Sequence, residues 1–112
     1  MYKYNAKIVR WVDGDTVILD IDLGFYVTRQ ERIRLARIDA PELNSKTPYQ
    51  VRKAKSARAK AKKLAPEGSQ VVLTTSKSSI DRYSRYIGEI TFEGKNVSDY
   101  LIEIKVAKEV KY

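Results

Sequence analysis

The chain has 112 residues with 22 Lys and Arg against 14 Asp and Glu, a net charge of +8, and neither cysteine nor histidine. Those absences exclude disulfides, zinc sites with the usual ligands and any triad that needs imidazole, leaving carboxylates, Arg, Lys, Tyr, Ser and Thr to carry chemistry. Length and apolar content fit one folded domain over residues 1–112, and the positive charge points to phosphate or another polyanion.

No apolar run approaches the roughly 18 residues of a membrane-spanning helix. The segment Met1 to Lys7 lacks the apolar centre of a signal peptide. The expectation is a cytoplasmic chain or the mature form of a secreted one, with no membrane partner.

In chain order, Tyr4 to Val12 reads as a first strand with one face better buried than the other. Asp13-Gly14-Asp15-Thr16 then supplies a turn or bulge, and Val17 to Leu23 resumes as a second strand. Gly24 permits a bend into a long third strand over Phe25 to Ile38. Short connections between three successive strands imply an antiparallel meander.

From Thr47 the character changes. Tyr49 to Leu64 is rich in Ala, Lys and Arg and free of Gly and Pro, which predicts a helix. Thr47 suits the N-cap, Pro48 the first helical position, and Pro66-Glu67-Gly68 the stop. Val51, Ala54, Ala57, Ala61 and Leu64 form a narrow apolar stripe. Between Arg52 and Lys63 stand seven basic residues and no acid. Such a face is ordinarily just solvated; its other reading is a sequence-independent attraction for nucleic acid, in which Lys60 and Lys63 would take part.

Gln70 to Ser76 reads as a fourth strand, Lys77-Ser78-Ser79 as a polar link, and Ile87 to Phe92 as a fifth strand turned by Glu93-Gly94-Lys95. Asn96 caps a short helix whose Val97, Tyr100, Leu101 and Ile104 fall on one face, with Asp99 favouring its start. Val106 to Tyr112 carries no assignable pattern. The predicted class is mainly β with helices (α+β). It is a five-stranded OB-fold barrel with one helix between the third and fourth strands and a short helix after the fifth, a layout that commonly binds nucleic acid.

Three pieces concentrate polar chemistry: Asp13-Gly14-Asp15-Thr16, the run from Arg34 to Glu42, and Asp81-Arg82-Tyr83-Ser84-Arg85. In the second, Asp39 and Glu42 flank a proline that stiffens the corner. Two acids held so close favour a hard cation, a general base, or both. On an unbroken strand Arg34 and Asp39 would face opposite sides, being an odd number of residues apart. The strand is therefore expected to end or bulge before Asp39.

Together the three pieces resemble the staphylococcal nuclease family across nearly the whole chain. Its first signature is matched by Asp13-Gly14-Asp15-Thr16-Val17 and Arg34-Leu35-Ala36-Arg37-Ile38-Asp39-Ala40-Pro41-Glu42, and its second by Asp81-Arg82-Tyr83-Ser84-Arg85. The resemblance implies a Ca²⁺-dependent endonuclease that cuts DNA and RNA with little sequence preference and leaves 3′-phosphate ends. By the same resemblance, Asp15, Asp39 and the carbonyl of Ala40 would hold the Ca²⁺, and Glu42 would act as general base. Arg34 and Arg85 would grip the scissile phosphate, and Tyr83 would lie in the nucleotide pocket. Asp13 would support the metal loop without ligating.

The chain also departs from the family. The link between its second and third strands is long, Ser84 stands where the family has glycine, the connection from Glu42 to the helix is short, and the family's further helix has no counterpart before Tyr112. A monomer is expected, with a dimer as the alternative. The rival to the nuclease is a nuclease-like OB-fold module that binds nucleic acid without cutting it.

Overall fold

The computed structural model describes residues 2–80 and 86–110. Its elements in chain order are β1 (Tyr2–Asp13), β2 (Thr16–Asp22), β3 (Thr28–Leu35), β4 (Ile38–Asp39), α1 (Pro48–Leu64), β5 (Gln70–Ile80), β6 (Tyr86–Phe92), β7 (Lys95–Asn96), α2 (Val97–Glu103) and β8 (Lys108–Glu109). β1, β2 and β3 form the antiparallel meander, β5 pairs with the other edge of β1, and β6 pairs with β5. A parallel pairing of β3 with β6, Ile33 to Tyr86 through Leu35 to Gly88, closes the sheet. Among the described residues the result is a closed five-stranded barrel with two helices, the expected OB fold.

Alternation decides which way each strand faces. In β2, Val17, Leu19 and Ile21 are buried while Ile18 and Asp20 are half-exposed and Asp22 is exposed. They meet Ile8, Ile33, Leu73 and Ile90 in one continuous core. α1 caps the barrel with Ala54, Ala57 and Ala61, side chains small enough to let the helix lie close. Its N-cap Thr47 accepts from Gln50 N at 3.2 Å, Pro48 opens the first turn, and Trp11 Nε1 donates to Ala65 O at 2.9 Å near its end. Asn96 Oδ1 accepts from Asp99 N at 3.0 Å to start α2.

Three expectations change at the edges. The third strand does not begin at Phe25, because Gly24, Phe25 and Tyr26 all take positive φ and make a tight turn before Thr28. It also ends at Leu35, where the parity of Arg34 and Asp39 demands a break. The fourth strand extends past Ser76 to Ile80, so backbone pairing wins over the polar composition of its end. The unassigned tail supplies β8, which pairs antiparallel with β4.

Candidate active site

The corner after β3 is built by backbone first. Ala36 N donates to Gly88 O at 2.9 Å, and Ser98 Oγ donates to Ala36 O at 3.0 Å. Arg37 then takes φ +68, a left-handed conformation that an L-residue with a side chain adopts at a cost of about 1 kcal/mol. Its guanidinium holds that conformation in place. Nη2 reaches Glu89 at 2.6 Å and Asp99 at 2.8 Å, and Nε reaches the same Glu89 oxygen at 2.9 Å. Hydrogen bonds to Glu89 and then Asp99 push the Arg37 pKa up from its ordinary value. Val110 N closes the turn on Arg37 O at 2.8 Å. Sequence reasoning missed Arg37, and the only signal available for it was the required strand break two residues before Asp39.

That break brings Arg34 and Asp39 to the same side. Arg34 Nη2 lies 3.5 Å from Asp39 Oδ1 and 3.6 Å from Asp15 Oδ2, while Nη1 donates to Leu35 O at 2.9 Å. Arg34 and Asp15 are buried, whereas Asp39 is exposed. Asp15 comes from the β1–β2 turn because Thr16 pairs with Arg34 across β2 and β3. It ties both ends of the corner: its carbonyl accepts from Leu35 N at 2.8 Å, and Oδ2 accepts from Ala40 N at 2.9 Å. Thr16 Oγ1 donates to Oδ1 at 3.0 Å.

Burial pushes the Asp15 carboxyl pKa up, against the pull of Arg34, the Ala40 amide and the Thr16 hydroxyl; the neighbouring Asp13 adds to the rise. Asp13 itself accepts from Leu43 N at 3.0 Å, holding the loop just beyond Glu42. Gly14 matters for its lack of a side chain. A Cβ there would come within 2.8 Å of Ala57 Cβ on α1 and 3.2 Å of Ala40 Cβ. Gly14→Ala is therefore expected to lower unfolding free energy by about 1–3 kcal/mol through overpacking, and denaturant titration would show it. A variant as stable as the wild type would mean that α1 yields without cost.

Of the residues singled out from sequence, Asp15, Arg34, Asp39 and Ala40 are thus brought together. Glu42 is exposed, two residues past Ala40, on a turn closed by Ser45 N and Oγ to Glu42 O at 3.2 and 2.7 Å. Lys60 lines a cleft of about 590 Å³ that also takes in Asp39, Ala40, Lys53, Lys105 and Lys108. Lys63 does not line that cleft; it borders a neighbouring one with Lys60, Phe92 and Tyr100. Arg85 and Tyr83, with the whole Asp81 to Arg85 motif, lie outside the described residues.

Among the described residues no three acidic side chains gather tightly enough to enclose a metal ion unaided. The donor chemistry nevertheless suits a hard divalent cation, which takes carboxylate and carbonyl oxygens and fills its remaining positions with water. Among the described residues, Asp15 and Asp39 both lie within 3.6 Å of the Arg34 guanidinium, so carboxylate oxygen is plentiful at this point.

No relative emerged from comparison with the curated proteins. The family model described as staphylococcal nuclease homologue matches residues 32–112, from within β3 onward. That match spans most of the chain and includes the Arg34 to Glu42 corner. The chain therefore belongs to the staphylococcal nuclease homologue family, a membership that supports a nuclease-like function directed at nucleic acid.

Proposed function

We propose that this protein is a Ca²⁺-dependent endonuclease that hydrolyses phosphodiester bonds in DNA and RNA with little sequence preference and leaves 3′-phosphate ends. The observation that carries the reading is the convergence of Asp15, Arg34 and Asp39, two carboxylates on one guanidinium beside the Ala40 backbone. Asp15, Asp39 and the Ala40 carbonyl would hold the Ca²⁺, whose chemistry is that of a Lewis acid offsetting charge on a phosphoryl oxygen.

The chain's own groups do the rest. Arg34 presents a planar fork that matches two phosphate oxygens and stabilises the charge growing on them during in-line attack. Arg85 is assigned the same task from the second motif, and Tyr83 is assigned to the nucleotide. Glu42, exposed and two residues beyond Ala40, takes the proton from the attacking water as its oxygen bonds to phosphorus; the bond to the 5′-oxygen breaks and that oxygen takes a proton from solvent. Lys60 and Lys63 on α1 attract the polyanion without contributing to the chemistry.

The experiment is direct: plasmid DNA and a structured RNA are incubated with pure protein in Ca²⁺ and in chelator. Cleavage of both only in Ca²⁺, with 3′-phosphate termini on the fragments, is the expected result. Retained binding without cleavage in Ca²⁺ would overturn the enzyme and leave a nucleic-acid-binding module.

A further inference from the structure

The least explained part of the molecule is the tip of the β2–β3 hairpin. Val27 N donates to Gly24 O at 2.9 Å, and Phe25 and Tyr26 occupy the two central positions at φ +56 and +62. A two-residue turn with both central residues at positive φ favours Asn-Gly or Asp-Gly, since a bulky side chain there is strained. Both aromatic residues are also fully exposed, at 98% and 106%, with Leu23 and Val27 on either side at 44% and 51%. Two unfavourable choices, backbone strain and aromatic exposure, thus coincide on adjacent residues. Backbone strain of this kind persists where it serves a function.

A cleft of about 610 Å³ opens beside the tip, lined by Asn5, Lys7, Asp20, Asp22, Thr28 and Gln70 together with the two aromatic residues. A hollow of that size admits an aromatic side chain, and its rim offers acceptors to a tyrosine hydroxyl and a cation to a ring face. Knob and hollow therefore lie on one patch, which is what a two-fold, isologous contact requires. We propose that the β2–β3 tip is a self-association surface, in which Phe25 and Tyr26 of one copy enter the cleft beside the same tip of a second copy.

Charge selects this occupant. Around the tip Lys7 and Arg29 stand against Asp20, Asp22 and Glu31, and Arg29 is paired with Glu31. A nucleic acid or an anionic bilayer would be drawn to the basic face of α1, not to this acid-balanced end. Area sets the strength. Two exposed aromatic side chains of roughly 200 Å² each, with half of Leu23 and Val27, bring the contact to about 1,000 Å² in total, the range of weak, reversible dimers.

The contact also leaves the candidate active site open. Thr16 pairs with Arg34 at one end of the ribbon and Asp22 with Thr28 at the other. Six residues of strand separate them, about 20 Å. The proposal is independent of the assigned activity.

Sedimentation equilibrium on the full chain tests it, from micromolar to millimolar protein and at low and high salt. Wild type should rise from 12.9 kDa toward twice that mass, and association should strengthen with salt, which screens the repulsion between two copies of charge +8. The double variant Phe25→Asn with Tyr26→Gly, which supplies the residues this turn favours, should fold at least as well and dimerise at least ~100-fold more weakly. The proposal falls if wild type stays at 12.9 kDa to millimolar concentration, or if the variant associates equally. It also falls if the variant instead loses co-sedimentation with phosphatidylserine vesicles or with a single-stranded oligonucleotide, which would assign the tip to that ligand.

Discussion

Arg34→Ala is expected to lower unfolding free energy by about 3–5 kcal/mol, the cost of stripping the partner from a buried charge. Arg34 and Asp15 are both almost fully enclosed, and among the described residues Asp15 would be left as a buried carboxylate held by the Ala40 amide and the Thr16 hydroxyl. Because a domain of this size is stabilised by only about 5–15 kcal/mol, the loss would be a large share of the total. Combining Arg34→Met with Asp15→Asn should recover most of it, since removing both charges avoids the unpaired group. Arg34→Lys separates the structural from the chemical part. It keeps a cation between the two carboxylates, so stability should fall by only about 1 kcal/mol, yet it lacks the planar fork, so cleavage should fall by about 10²–10³. Denaturant titration and initial cleavage rates give both numbers. If Arg34→Ala unfolds within 1 kcal/mol of wild type, the Asp15 pairing is not holding the corner.

Glu42→Gln should show the opposite pattern. Its side chain is exposed, so the stability change should stay within about 0.5 kcal/mol. As the assigned general base, its loss should cost about 10²–10⁴ in cleavage rate while leaving affinity for an oligonucleotide in chelator unchanged. A variant that cuts as fast as wild type in saturating Ca²⁺ would remove Glu42 from the mechanism and return the proton to solvent. The two substitutions together distinguish a group that builds the site from one that only works in it.

Much of the barrel was legible because burial imposes a period. Val17, Leu19 and Ile21 alternate in the sequence as they do in the core, and Thr47-Pro48 marks the start of α1 as plainly as a cap can. The misses share a cause. Phe25, Tyr26 and Val27 are good strand formers, and nothing in them announces the turn, which lacks the Asn-Gly signature such turns usually carry. Lys77-Ser78-Ser79 reads as a link because its residues are polar, yet the strand runs through it to Ile80, which pairs with Tyr86 of β6. At the candidate site, parity alone required a break between Arg34 and Asp39. It could not place that break at Arg37, whose partners Glu89 and Asp99 lie 52 and 62 residues away. The joining of Asp15 to Arg34 is likewise a matter of register between β2 and β3; locally, Asp13 to Thr16 is only a turn.

The pairing of β4 with β8 sets an order of assembly. Ile38 meets Glu109, Asp39 meets Lys108, and Val110 N fastens Arg37. The segment bearing Asp39 is made early, but the strand that fixes it follows about 70 residues later, and so long a closure comes after the local contacts of the meander. During synthesis, then, the first three strands can associate and Asp15 can tie Ala40 before the segment that pairs with β4 has been made. The proposed nuclease would thus complete its corner only after nearly all of this domain had left the ribosome, an RNA machine within closest reach of such an activity.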